Sequence, residues 1–458
     1  MRRHYQDWEP LQTNGEAPCQ VLLQAWGVRQ CGRWLSSLLM KHTQRSVWTP
    51  PTEIILSNGI RLVSDYVGSV DSCALGIWVK AGTRDEPTGK SGVAHFVEHT
   101  SFRRTASRTT SKISRDFENR GAYANAYTTK EETCYYVRTL REHLLDVSTT
   151  LADVVVNPVF DAEDVEKERT IIVEEIRSYE DEAEEHIFDL GEQQLFPVDA
   201  IGSSIVGTVQ DVESLKRTDI VRFHKQHYTP DNVIIAISGN HDIDTFAEHI
   251  ERSMRGLGRS RAGTTRIAPQ PAKPTHQEYR KQTQQAHVLW QCPTTGYHHA
   301  DRHALQILNV VLGDGMSSRL NVKLRESRGL AYSVYSQLQL FMDCGIIAIY
   351  AGIDETQRVR VDREISTILS ALATDGITVS ERKRAVAQLR ASKLMSLESL
   401  TSRMTLLGKG IMEEGYPEDP RQTIDALESV TLADVQRVAS KYCKPARWST
   451  TSLLSIGE

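Results

Sequence analysis

Gly92-Val-Ala-His-Phe-Val-Glu-His-Thr100 is the stretch on which the reading of this chain turns. It sets His95, Glu98 and His99 within five residues, with Ala94, Phe96 and Val97 around them and no proline. On a helix, positions i, i+3 and i+4 share a face, so both imidazoles and the carboxylate point the same way. Two neutral imidazoles one turn apart can hold one Zn²⁺. The carboxylate is then free to take a proton from activated water. The competing reading is a surface helix that carries two His and a Glu by chance.

A zinc site of this kind needs a third protein ligand. The best candidate lies in Glu168-Arg-Thr-Ile-Ile-Val-Glu-Glu-Ile176. In a helix Glu168 and Glu175 stand two turns apart on one face. Glu175 follows His99 by 76 residues. With these residues together, the order His-x-x-Glu-His reads as the inverzincin pattern. Residues about 52–450 resemble peptidase family M16, which includes pitrilysin, insulin-degrading enzyme and the mitochondrial processing peptidase. The single-chain bacterial processing-peptidase-like members are the nearest in pattern.

The resemblance implies His95, His99 and Glu175 as ligands of one Zn²⁺ per chain. It implies Glu98 as general base and Glu168 as a carboxylate supporting a ligand from outside. It implies a peptide substrate held as an added β-strand along edge residues Asn125, Ala126 and Tyr127, through main-chain hydrogen bonds. Leu312-Gly-Asp-Gly-Met-Ser-Ser-Arg-Leu320 and Leu324-Arg-Glu-Ser-Arg-Gly-Leu-Ala-Tyr332 resemble the family's C-terminal signature. On that match Arg325 and Tyr332 donate hydrogen bonds to a developing oxyanion. Without it, Arg325 reads as a surface ion-pair residue, Tyr332 as a core aromatic and Glu175 as part of a solvated helix.

Asp161 to Asp189 holds 13 acidic and 3 basic residues. Glu185 and Asp189 fall ten and fourteen positions after Glu175, where the mitochondrial enzyme grips a basic residue near the cut. The expectation is a preference for Arg or Lys near the cleavage site. Thr100-Ser-Phe-Arg-Arg-Thr105 departs from the family pattern, and reads as altering local packing without touching a ligand.

Composition sets the outer bounds. The 458 residues carry a net charge of −5, which argues against a general nucleic-acid binder. Seven scattered Cys without a C-x-x-C pair suggest reduced thiols in a reducing compartment, and the family resemblance implies a bacterial-type cytoplasm. No apolar run approaches the length of a membrane span. Residues 1–48 read as an extension, disordered or preceding the true start. Organelle targeting by this Arg-bearing segment is a lesser alternative.

Two short β-rich runs flank Asn58-Gly59, a hairpin signal. Strands are expected at 72–80, 122–129, 132–140 and 232–239, and helices at 111–120, 142–156, 161–185 and 219–227. Residues 256–275 are rich in Gly, Pro, Arg and Thr and read as a linker. Beyond it, Glu428-Ser-Val-Thr-Leu-Ala-Asp-Val-Gln-Arg437 echoes Glu213-Ser-Leu-Lys-Arg-Thr-Asp-Ile-Val-Arg222, and Gly329-Leu-Ala-Tyr-Ser-Val-Tyr335 echoes Gly121-Ala-Tyr-Ala-Asn-Ala-Tyr127. This predicts an internal duplication. The expected fold is α+β: two homologous halves, each a mainly antiparallel sheet with helices packed on it, closing like a clam around a peptide chamber. Residues 49–255 would bind zinc, and 276–458 would complete the substrate site. The expected function is a zinc-dependent endopeptidase acting on extended peptides or presequences, as a homodimer. The alternative is a non-catalytic relative serving as scaffold or partner subunit.

Overall fold

The computed structural model describes residues 48–258 and 266–456. The expected extension lies outside these residues except for Trp48, as does 259–265 of the expected linker. Trp48 belongs with the core: it is buried, and its carbonyl accepts a hydrogen bond from Arg421 at 3.1 Å.

Two sheets organise the chain. The first comprises β1 (Thr52–Ile55), β2 (Arg61–Tyr66), β3 (Ser72–Val79), β4 (Tyr123–Thr128), β5 (Thr133–Leu140) and β6 (Val233–Gly239). Their order is β1-β2-β6-β3-β5-β4. The second comprises β7 (His276–Lys281), β8 (Ala286–Thr295), β9 (Ala331–Leu340), β10 (Cys344–Ile353) and β11 (Ser449–Ser455), in the order β7-β11-β8-β10-β9. Without β1 the two orders are the same. β2 lies parallel to β6 and β7 parallel to β11, and every other pairing is antiparallel. The duplication seen in sequence is therefore a duplication of topology. The hairpin between β1 and β2 turns through Asn58 and Gly59, where φ is +93°.

Helices cover both faces of each sheet. In chain order they are α1 (Val93–Ser101), α2 (Thr110–Glu118), α3 (Leu144–Val156), α4 (Ala162–Asp181), α5 (Ala183–Leu195), α6 (Val209–Ser214), α7 (Arg217–His227) and α8 (Ile243–Ser253). After 275 follow α9 (Arg302–Leu312), α10 (Arg358–Asp375), α11 (Val379–Ser396), α12 (Leu400–Glu414), α13 (Pro420–Ser429) and α14 (Leu432–Tyr442). The central strands β3, β6 and β10 read as near-continuous apolar runs because they are buried from both sides. Every residue of β6 and of β10 is buried.

The single helix expected over 161–185 is two helices. α4 starts at an Asp161 cap, whose side chain accepts from Glu163 N, and ends at Glu182, where ψ is 88°. No Gly or Pro marks this break. Tertiary burial decides it: α5 leaves the first half and packs Ile187, Leu195 and Phe196 against β8 and β11 of the second sheet. The second half does the reverse. α12 places Met404, Leu407 and Ile411 against β2, β3 and β6. Each exchanged helix carries a glycine at its closest approach. A Cβ on Gly191 would lie 2.2 Å from Gln291 Oε1, and one on Gly408 would lie 2.7 Å from the Trp78 ring.

The halves also meet at equivalent hairpin tips. Arg84 pairs with Glu131 at 2.6 Å and with Asp343 at 2.8 Å, and Met342 N donates to Glu131. The described part of the 256–275 stretch is docked on the body: Arg266 pairs with Asp85 at 2.7 Å, and Ala272 N donates to the Leu195 carbonyl. Five cysteines among the described residues are free and buried. No helix among them is long and apolar enough to cross a membrane.

One buried histidine makes the fold sensitive to acid. His224 on α7 lies 2.9 Å from the Val155 carbonyl through Nε2 and stacks on Tyr228. Burial holds its pKa down to about 4. The unfolded chain takes up that proton near pH 6.5, so stability is complete above 6.5 and falls as pH drops towards 4. The full loss is on the order of 3 kcal/mol. His224→Gln should flatten the slope of urea stability over that window relative to wild type. An unchanged slope would exclude His224 as its source.

Candidate metal centre

α1 is placed by the loop before it. Gly92 is its N-cap with φ +86°, and a Cβ there would sit 2.8 Å from the Val206 carbonyl oxygen. Glycine has no side chain to cap the helix, so Glu86 does it. Its carboxylate accepts from Gly92 N at 3.0 Å and Ala94 N at 2.8 Å, at the positive end of the helix dipole. Burial pushes Glu86 up to about 8, against these two bonds. Val93, Ala94, Phe96 and Val97 bury into the core of the first half. That fixes the rotation of α1 and turns His95, Glu98 and His99 together towards α4.

The structure brings His95, His99 and Glu175 into one cluster. The imidazole centroids are 4.4 Å apart. Glu175 Oε1 is 3.8 Å from His95 Nε2, and Oε2 is 3.5 Å from His99 Nε2. One ligand atom from each lies within 4.8 Å of the others. Two imidazole nitrogens and one carboxylate suit a zinc site with an open position. No fourth His, Cys, Asp or Glu joins the group among the described residues. Burial, then the proximity of His99, holds His95 down to about 3, so its nitrogen stays neutral at ordinary pH. Burial works against His99 too, but the Glu168 hydrogen bond and the surrounding carboxylates raise it overall.

Two carboxylates flank the cluster. Glu168 Oε2 lies 3.0 Å from His99 Nδ1, which leaves Nε2 facing Glu175. Glu98 accepts a 2.6 Å hydrogen bond from the Thr128 hydroxyl. Burial raises its pKa, opposed by that bond and by His99. Beside Glu98, His99 and Glu168 opens a cavity of about 500 Å³, walled by Phe102, Ile113, Phe117 and residues 122–126 of the β4 strand region.

β4 is an edge strand, bonded only to β5 among the described residues, and carries Asn125, Ala126 and Tyr127. Asn125 and Ala126 line the cavity. Tyr127 turns inward instead: its hydroxyl accepts from Trp78 Nε1 and donates to Glu132, both at 3.3 Å. Glu185 and Asp189 lie on α5, in a separate acidic cavity of about 650 Å³ shared with Glu182 and Glu184. Arg325 is exposed on a π-helical turn, Asn321–Glu326, and Tyr332 is 69% exposed at the start of β9. Neither shares a side-chain hydrogen bond, an ion pair or the 500 Å³ cavity with the metal cluster among the described residues.

Three contacts escaped the sequence reading: the Glu86 cap, the Thr128 hydroxyl on Glu98, and Arg103, which pairs with Glu168. Thr128 was visible only as a strand residue. Glu86 gave no signal, and Arg103 stood out only within the Thr100–Thr105 departure from the family pattern.

Residues 61–209 match the family described as Insulinase (Peptidase family M16), and residues 214–389 match the Peptidase M16 inactive domain. An uncharacterized zinc protease of Mycobacterium leprae is 36% identical over 391 residues, covering 84% of this chain and 87% of the relative. The uncharacterized zinc protease YmxG of Bacillus subtilis is 33% identical over 382 residues, covering 83% and 93%. The fold matches a solved protease from Helicobacter pylori with a TM-score of 0.82 at 21% identity, over 89% of this chain and all of that one. It also matches a chain of complex III2 from Candida albicans, with a TM-score of 0.77 at 17% identity, covering 88% and 95%. The chain belongs to the insulinase family, peptidase family M16.

Proposed function

We propose that this chain is a zinc-dependent endopeptidase acting on extended peptides. The observation that carries the proposal is the His95, His99 and Glu175 cluster with Glu98 beside it. His95, His99 and Glu175 would hold the metal. Zinc bound there supplies Lewis acidity towards a scissile carbonyl and its attacking water. Glu98 takes the proton of that water and returns it to the leaving amine. Glu168 keeps the His99 ring oriented.

Residues 49–255 form the metal-binding half in this reading, and 276–458 complete the substrate site. The free edge of β4 offers main-chain groups to a peptide strand, which tolerates varied sequence. Arg325 and Tyr332 serve as oxyanion donors once the peptide is enclosed. The acidic cavity of Glu182, Glu184, Glu185 and Asp189 supports a preference for Arg or Lys near the cut. In this reading the protein works as a homodimer in a bacterial-type cytoplasm.

A second reading is a non-catalytic scaffold or partner subunit, for which the likeness to a chain of complex III2 speaks. The intact cluster weighs against it. Peptide-library hydrolysis before chelation, after it and after zinc return tests both readings. The expected result is loss and recovery of cleavage, with Arg or Lys enriched near the cut. No cleavage by the zinc-loaded protein would favour the scaffold, and cleavage indifferent to basic residues would remove the acidic-cavity assignment alone.

A further inference from the structure

Glu168 uses its two oxygens differently. Oε2 meets His99 Nδ1 at 3.0 Å. Oε1 meets a cation, the Nε of Arg103. The Glu168 side chain is 3% exposed and that of Arg103 is 30% exposed. Arg103 stands just past the end of α1, and its neighbour Arg104 pairs with Asp164 at 3.0 Å, one turn before Glu168 on α4. Two consecutive arginines therefore tie the end of α1 to α4.

We propose that Arg103 is a positioning residue for the metal centre: it holds the Glu168 carboxylate in the rotamer that aims His99 Nε2 at Glu175. The inference rests on the zinc reading above and adds a residue to it. An exposed ion pair contributes little, because water screens both partners. This one has a buried carboxylate as its partner. Without Arg103, Oε1 loses its only cation among the described residues, and a buried carboxylate oxygen left unpaired is costly. The carboxylate then gains by turning away from His99 towards water, and the imidazole loses the contact that sets its tautomer and angle.

The test is zinc affinity, read by competition with a chromophoric chelator, for wild type, Arg103→Ala, Arg103→Lys, Glu168→Ala and the Arg103→Ala/Glu168→Ala pair. Arg103→Ala should bind zinc about 10–100-fold more weakly, the range for such outer partners. Arg103→Lys keeps the charge and should recover most of the loss. With Glu168 already removed, losing Arg103 should add little, because its route to the metal is gone. A general structural role would persist in that background and would also appear in thermal unfolding of the metal-free proteins. If Arg103→Ala does not fold, Arg103→Gln replaces it in the same cycle. Wild-type affinity in the Arg103 variant, or an equal loss with and without Glu168, overturns the proposal and leaves the functional reading standing. Failure of the wild-type protein to bind zinc overturns both.

Discussion

Glu98→Gln is expected to lower kcat/KM for peptide hydrolysis by about 10²–10⁴-fold, the range for loss of a positioned general base. Zinc content should not change. Gln matches Glu in size, and its amide oxygen can still accept the Thr128 hydroxyl that lies 2.6 Å from Glu98. The substitution therefore leaves α1 and the His95, His99 and Glu175 cluster in place. It removes only the ability to accept a proton. Burial, which raises the pKa of Glu98, also brings its basicity closer to that needed near neutral pH. Steady-state cleavage of a fluorogenic peptide, paired with metal analysis of the same samples, checks this. Activity equal to wild type with zinc bound would remove Glu98 as the base. A loss of zinc together with activity would assign it a structural role.

Arg403→Met is expected to destabilise the fold by about 3–5 kcal/mol, the cost of breaking a buried ion pair from one side. Arg403 lies on α12 and reaches Asp65 on β2, with Nε 2.6 Å from Oδ2 and Nη2 2.9 Å from Oδ1. Asp65 is 1% exposed, and Ser238 on β6 also donates to it at 2.7 Å. The guanidinium further lies over the Trp48 ring. Removing the arginine strands a carboxylate that water cannot reach. It also loosens one of the two exchanged helices that bind the halves together. The paired change Asp65→Leu/Arg403→Met leaves no buried charge and should recover most of the stability. Chemical denaturation of the three proteins decides the matter. A single variant as stable as wild type would show that apolar packing alone holds α12.

Much of this molecule is legible where the cause is local. The i, i+3, i+4 spacing from His95 to His99 places three polar groups on one face whatever surrounds the helix. The same holds for Glu168 and Glu175, two turns apart on α4. The hairpin at Asn58-Gly59 and the strand runs follow from short-range preference, and the duplication shows because both halves kept the same turns and caps. Gly121 and Gly329, with φ of +59° and +58°, each stand just before an equivalent edge strand.

Contacts between distant segments carry no such trace. Thr128 meets Glu98 across 30 residues, His99 meets Glu168 across 69, and Arg403 meets Asp65 across 338. Nothing in the periodicity of 161–185 marks a break at Glu182, because no residue there forbids a helix. The break exists because apolar side chains on α5 bury more surface on the far sheet than a straight helix would allow. Tyr127 likewise alternates like any strand residue, and only the Trp78 indole beneath it decides that its hydroxyl turns inward. Sequence alone determined which groups could share a helix face, because helical geometry repeats every few residues. Which partner each group met, including Arg103 on Glu168 and Glu86 on the start of α1, was decided by packing of segments far apart in the chain, where burial and hydrogen bonding outweigh local preference.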